Sequence, residues 1–358
     1  MNWGELITLE YGKPVKDKEA TDGKVPVYGT NGQIGTSHLP AQCKHPSFIL
    51  GRKGAYRGVH YSDCPFSVID TAFYAEPLTD RIDLKWAYYK FLTYDINGMD
   101  SGSAIPSTDR YQIYSIEVEV PPLEKQRKIV AVLDCIDRKI NINQKVNDNL
   151  EQQAAALFSS LYNRSNTEVR YTDLIQILGG GTPKTGETAY WNGNIAFFTP
   201  KDVGTPYTFI TEKTITEEGL SHCNSRLYPV NTVFVTARGT VGKVGLSGVP
   251  MAMNQSCYAL VGKETHQLLV YFYTLKAVDR LKHKASGAVF DAITTRDFDS
   301  EQIMKLSDDD AKAFLCVAEP MFQEILNNGI ENLQLSTLRD FLLPKLMSGE
   351  IDVSSVQL

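Results

Sequence analysis

Residues 123–162 read LEKQRKIVAVLDCIDRKININQKVNDNLEQQAAALFSSLY, with neither glycine nor proline, directly after Pro121 and Pro122. Such a run predicts a single helix of about 60 Å, at 1.5 Å per residue. Its apolar residues define a seam. Ile129, Leu133, Ile136, Ile140, Asn143, Asn147, Leu150, Ala154, Leu157 and Leu161 follow alternating steps of four and three, the spacing of a coiled coil. A second seam comprises Phe314, Ala318, Met321, Ile325, Asn328, Asn332, Leu335, Arg339, Leu342 and Leu346. Asparagines at equivalent seam positions fit a register device, because a buried Asn costs stability yet penalises misalignment. The alternative is that the seam drifts outward there and the asparagines are solvated. Pro320 lacks an amide donor, so it should kink the second helix or mark its real start. Gly329 should weaken it by about 1 kcal/mol.

The two seams belong to a longer repeat. Shifted by 185 residues, the chain aligns with itself without a gap from Phe48 to Leu161. Gly54 meets Gly239, Val59 meets Val244, Pro65 meets Pro250 and Tyr88 meets Tyr273. Before Phe48 the offset falls to 168–169, where LITLEYGKP from Leu6 matches LIQILGGGTP from Leu174, so the second copy is longer by about 17 residues. One duplication at so long a period gives a doubled two-part module, not a solenoid. Each copy opens with short strands between Gly- and Pro-rich turns. These are predicted at 25–28, 47–50 and 116–120, and at 195–198 and 232–235. Helices are predicted at 84–94 and 267–284. The segments are therefore 1–122, 123–163, 164–307 and 308–351, with a tail at 352–358.

Composition narrows the class. The chain has 358 residues, 42% hydrophobic and 22% charged, which excludes wholesale disorder. Its net charge of −6 excludes a generally basic nucleic-acid coat. Residues 308–358 hold 3 basic against 9 acidic side chains, so that segment should avoid DNA phosphates. The two β-rich segments are near neutral, which a local basic cleft allows. No apolar run approaches the roughly 18 residues of a membrane span, and the start lacks the pattern of a secretory signal. Cys43, Cys64, Cys135, Cys223, Cys257 and Cys316 form no CxxC pair, which reads as reduced thiols in a cytoplasmic protein.

Catalytic motifs fail one by one. In GGGTPKT (179–185) proline holds the place before Lys184 where a phosphate loop needs glycine, so the segment reads as a strand-exit turn. There is neither a glycine-rich methyltransferase turn nor an Asn/Asp-Pro-Pro-aromatic element. Cys43, His45, His60 and Cys64 are spaced C-x-H-x14-H-x3-C, which fits no usual structural zinc site, so no metal is assigned. Six scattered histidines suggest no hydrolytic triad. No catalytic residue is assigned.

The positive signal is polar side chains on paired glycine turns. Arg52, Lys53, Tyr56 and Arg57 lie within RKGAYRG, and Arg238, Thr240 and Lys243 within its counterpart RGTVGK. Glycine lets backbone approach closely, and Arg or Lys reaches phosphates or guanine N7 and O6. A second pair of loops holds Ser103, Ser107, Thr108 and Arg110, matched by Thr294, Thr295 and Arg296. A third holds Asn31 and Gln33, matched by Thr199 and Lys201, with Lys184 nearby in sequence. Asn and Gln suit adenine edges. Any one such loop could be a solvated hairpin; its recurrence at equivalent places favours a DNA-binding role.

Over nearly its whole length the sequence resembles the specificity (S) subunits of type I restriction–modification systems. The resemblance rests on ILGRKGAYRGVHY, VFVTARGTVGKVGL, EVEVPPLEKQRKIVAVLDCIDRKI, LEQQAAALFSSLY and LSTLRDFLLPKLMSGEI. It implies an α+β fold with two pseudo-symmetric target recognition domains, each followed by a long helix, the helices packed as an antiparallel coiled coil. It also implies that each domain reads half of a bipartite double-stranded DNA target. Two modification (methyltransferase) subunits and restriction (endonuclease/translocase) subunits would be its partners. S-adenosylmethionine, ATP and Mg would then sit on those partners and none on this non-catalytic chain. Antiparallel pairing about the asparagines sets Asn143 beside Asn332, Asn147 beside Asn328, Ile140 beside Leu335 and Leu150 beside Ile325. Arg339 then falls by Ile136, where it must snorkel. A rival reading is a non-DNA adaptor with two β-rich binding modules on a helical spacer, which the near-neutral charge of those segments supports.

Overall fold

The computed structural model describes residues 1–99, 106–204, 206–284 and 292–356. The chain divides into two compact units, Met1–Arg138 with Ser336–Leu358, and Lys139–Leu335.

The first unit begins with α1 (Trp3–Leu6), β1 (Ile7–Tyr11), β2 (Val25–Gly29) and β3 (Gly32–Ser37). It continues with β4 (Ser47–Gly51), β5 (Val59–Ser62), β6 (Ser67–Val68), β7 (Ala72–Pro77), α2 (Leu84–Phe91) and α3 (Arg110–Ser115), before helix α4 (Leu123–Arg164). Strands pair in the orders β1-β7-β4-β5 and β3-β2-β6. Strand β4 is buried along its whole length because it has a core on each face. Phe48 and Leu50 join Trp3, Trp86 and Phe91 in one cluster, while Ile49 joins Cys43, Phe66 and Val68 in another. That is why FIL reads as a continuous apolar run rather than an alternating one.

The second unit rebuilds this plan. Its elements are β8 (Thr167–Arg170), α5 (Tyr171–Leu174), β9 (Ile175–Gly179), β10 (Trp191–Phe198), β11 (Tyr207–Thr208), β12 (Lys213–Ile215) and α6 (Glu217–Ser221). Then come β13 (Val233–Thr236), β14 (Val244–Ser247), β15 (Met251–Met253), β16 (Cys257–Gly262), α7 (Gln267–Lys284), α8 (Thr295–Asp299), β17 (Gln302–Lys305) and the long helix α9 (Asp308–Ser348). The orders β11-β14-β13-β16-β9 and β12-β10-β15 repeat those of the first unit, with β11 added at one edge. That strand lies in the stretch where the sequence offset changes. Val233 and Val235 face one core and Phe234 another, as do their counterparts in β4. Even isolated bridges recur at the 185-residue offset: Cys43–Phe66 with Tyr228–Met251, and Lys53–Ser107 with Arg238–Ala292.

Two expectations need correction. Residues 116–120 do not form a strand; Glu117 only bridges Asn2, whereas the equivalent β17 pairs fully with β8. Pro121 and Pro122 close that segment within a few residues, and proline offers no donor to a ladder. Pro320 does not start its helix either, because α9 begins at Asp308 and runs through it. Gly329 has a packing reason: an added Cβ would lie 2.2 Å from the Phe209 ring.

Along both helices no seam residue is exposed. In the first unit Ile129 and Leu133 share a core with Leu343 and Leu346. In the second, Leu150 and Phe158 pack with Phe314, Ala318 and Ile325. Asn143 donates to Asn332 Oδ1 at 2.9 Å, and Asn328 donates to Asn147 Oδ1 at 2.9 Å. The falling partner numbers make the helices antiparallel there. Asn143 also donates to Glu331 (2.7 Å) and accepts from Lys139 (2.9 Å), so these asparagines are bonded within the seam, not left to solvent. Lys139 and Asn143 hold the Glu331 carboxyl below its ordinary pKa. Arg339 pairs with Asp137 at 3.0 Å and with Asp340 at 2.9 Å. Asn143→Ala should cost about 1 kcal/mol in urea unfolding, since it removes the cross-helix hydrogen bonds of a buried amide. A cycle with Asn332→Ala should show coupling of about 0.5 kcal/mol or more; additive effects would contradict the pairing.

Candidate functional site

In the first unit the three candidate loops meet. The turn after β4 is tied down by backbone bonds from Arg52 and Lys53 to the Thr71 carbonyl, from Gly54 to Pro106 and from Thr108 to Arg52. Gly54 has φ +127°, a backbone open to glycine and strained for other residues. The tip of the β2–β3 hairpin closes on the same turn: Gly58 donates to the Thr30 carbonyl at 3.0 Å, and His60 Nε2 lies 3.3 Å from it. Burial keeps His60 below its ordinary pKa, partly offset by that carbonyl. Asn31, Gln33 and Tyr56 are exposed around this junction. Ser107 bridges Lys53, and Thr108 is buried with its hydroxyl oxygen unpartnered. Ser103 lies outside the described residues.

Two arginines and a tyrosine unseen as a group in the sequence complete this edge. Arg52 and Arg110 each lie over the Tyr11 ring, 4.8 Å from its centroid, and Arg110 also covers Tyr111 at 5.2 Å. Arg52 donates to the Asp70 carbonyl at 3.1 Å. Each cation–π contact is worth about 0.5–1 kcal/mol at an exposed position, enough to hold a flexible cation in place. Tyr11, Tyr56 and Tyr111 are 42%, 62% and 65% exposed, respectively. Exposed rings with fixed guanidinium groups suit base stacking and phosphate or guanine contacts. Tyr11 ends β1 beside Gly12, and Tyr111 follows Arg110; an aromatic at each turn was the signal available.

Arg57 must be taken out of the contact set. Its residue is 2% exposed. Its guanidinium donates to the carbonyls of Gly54 (3.1 Å), Ile96 (3.3 Å) and Asn97 (2.7 Å). The cation that seemed to belong to the loop surface is the peg on which the loop is hung.

The second unit has the same junction. Ala237 and Arg238 donate to the Ser256 carbonyl, Ile293 donates to Ala237, and Thr240 Oγ1 donates to Pro200 at 3.1 Å. Arg238, Thr240 and Lys243 are exposed, as are Lys201, Thr295 and Arg296. Thr199 is occupied locally, donating to Asp202 through both its amide and its hydroxyl. Lys201 faces Glu212 at 3.4 Å. Thr294 caps α8 through Asp297, the place Asp109 holds for α3. Lys184 is exposed, and its carbonyl accepts from Trp191; no bond joins it to the Arg238 turn among the described residues.

His60 is engaged with Thr30, and Cys64 lies beside Ser62. No helix among the described residues is long and apolar enough to cross a membrane.

A family model described as type I restriction modification DNA specificity domain matches residues 2–152 and again 163–305. The MjaIX type I restriction enzyme specificity subunit of Methanocaldococcus jannaschii is 32% identical over 124 residues, 33% of this chain and 29% of that protein. The HindI specificity subunit of Haemophilus influenzae is 23% identical over 346 residues, 74% of each chain. The crystal structure of a type I restriction-modification S subunit from M. genitalium superposes with a TM-score of 0.61 at 16% identity, over 97% of this chain and 95% of that one. That likeness concerns the fold.

Proposed function

We propose a DNA-reading role from the fact that this chain belongs to the type I restriction modification DNA specificity domain family. On this reading each unit reads one half of a bipartite double-stranded target. The observation that carries it is the paired junction, with Arg52, Lys53, Tyr56 and Arg110 on one unit and Arg238, Thr240, Lys243 and Arg296 on the other. Two similar readers joined by antiparallel helices match a split site, as dimeric repressors match half-sites to their symmetry. The halves differ in sequence here, so the target need not be a palindrome. Phosphate contacts supply affinity, and base-edge contacts supply selectivity.

The chain itself would be non-catalytic. Two modification subunits would carry S-adenosylmethionine to adenines near the target, and restriction subunits, with ATP and Mg, would cleave unmodified DNA. The assembled methylase is therefore the proper object for measurement. Arg52→Ala and Lys53→Ala should each weaken its binding to target DNA by about 1–3 kcal/mol. A contact to phosphate alone should also reduce the salt dependence of binding. Unchanged binding at moderate salt would remove this turn from the interface. Absence of any salt-dependent retention on DNA would favour the adaptor reading instead.

A further inference from the structure

We propose that Cys43, His45 and Glu76 form a site for one divalent metal ion of borderline softness, zinc by its donor set, with a fourth position open to water. Among the described residues they are the one group whose sulfur, nitrogen and oxygen atoms lie within 4.8 Å of one another. Cys43 and His45 stand in the connection between β3 and β4, and Glu76 stands on β7, which pairs with β4. The ion would clamp that connection to the sheet.

The histidine carries the argument. His45 Nδ1 lies 3.0 Å from the Pro46 carbonyl, so it is oriented as a donor. Nε2 then faces Glu76 Oε2 at 2.7 Å and Cys43 Sγ at 3.9 Å. A ring with both nitrogens aimed at acceptors is satisfied only as a cation or with a metal on one nitrogen. Bonding the other nitrogen to a backbone carbonyl is the usual way a ligating histidine is held. Tetrahedral zinc, with bonds of about 2.3 Å to sulfur and about 2.05 Å to nitrogen, sets those atoms about 3.6 Å apart. Sulfur and nitrogen need hardly move; the Glu76 oxygen must withdraw by several tenths of an ångström to admit the ion.

The Cys43 side chain is buried. The thiol donates to the His45 carbonyl at 3.2 Å. The second unit has other residues at the equivalent place: the bridge Tyr228–Met251 matches Cys43–Phe66, and the 185-residue offset puts Val261 where Glu76 stands. Tyr228 is packed in an apolar cluster with Phe198, Phe234 and Met251. Among the described residues the S/N/O trio thus belongs to the first unit alone.

The test uses the full chain, stripped with a chelator and titrated with Co²⁺. One equivalent should bind with thiolate-to-metal absorption in the near ultraviolet and tetrahedral-type visible bands, and Zn²⁺ should displace them. Zn²⁺ should also raise the unfolding midpoint of the wild-type chain. Cys43→Ser should abolish the thiolate band and the stabilisation. His45→Gln and Glu76→Gln, which keep the buried thiol, should weaken Co²⁺ binding by more than about tenfold, the scale for losing a mere outer partner. No thiolate band in the wild type overturns the site. So does a band that survives Cys43→Ser, or unaltered affinity in both other variants, which also decide the matter if Cys43→Ser does not fold. None of these readouts involves DNA, so the outcome is independent of the proposed reading role.

Discussion

Arg57→Met should destabilise the first unit by about 3 kcal/mol or more, although sequence inspection marks the residue as a surface DNA contact. The guanidinium is buried and spans three carbonyls, those of Gly54, Ile96 and Asn97. Methionine fills much of the volume but leaves three acceptors without a donor, each a loss of about 1–3 kcal/mol where water does not reach. For a unit of this size the unfolding midpoint should fall by about 6–12 °C. Arg57→Lys should not rescue it, since one ammonium on a flexible stem does not reproduce a planar fork. DNA binding should be lost together with the fold of the turn. Lys53→Ala should do the reverse, leaving the unfolding midpoint within about a degree while weakening DNA binding. Calorimetry of the three variants separates the roles. An unfolding midpoint unchanged by Arg57→Met would return that side chain to the surface.

The contrast shows where sequence reading reached and where it stopped. Helical periodicity, the duplication and the α+β plan were legible because each rests on spacing, which survives when side chains diverge. The seam asparagines were legible for the same reason: Asn143 and Asn332, separated by 189 positions, are joined by one numerical relation. The direction of a single side chain was not legible. Arg52 and Arg57 sit five residues apart in one glycine-rich turn, yet one lies over Tyr11 and the other turns inward. Only the carbonyls that residues 96–97 bring to the turn decide it, and they come from a distant part of the chain. Tyr11 likewise lies 99 positions from Arg110. Glu76 was missed beside Cys43 and His45 because its nearness depends on the β4–β7 pairing rather than on any sequence interval. The extended reading of 116–120 failed differently. Its alternating pattern is real, but among the described residues its one bridge is from Glu117 to Asn2.

Lengthening both long helices by one heptad should lengthen the unread spacer of the DNA target by about three base pairs. Helix α4 is the covalent path from the first module to the second, 42 residues without a break. On the proposed reading its length, matched by α9, sets the distance between half-sites. Seven residues add about 10.5 Å of helix and preserve the heptad phase of the seam. DNA rises about 3.4 Å per base pair, which gives the three. The insertions belong between Asn143 and Asn147 and between Asn328 and Asn332, because the two cross-helix bonds pair those intervals with each other. A heptad in only one helix would leave the seam out of step, and buried asparagines would lose their partners at about 1–3 kcal/mol each. That single insertion should therefore destabilise the protein, while the matched pair should not. Sequencing of methylated sites in cells carrying the assembled system reads the spacing directly. Both half-sites should be retained, since neither recognition surface is touched, with the gap between them widened. Methylation at the original spacing by a stably folded double insertion would show that the helices do not measure the target.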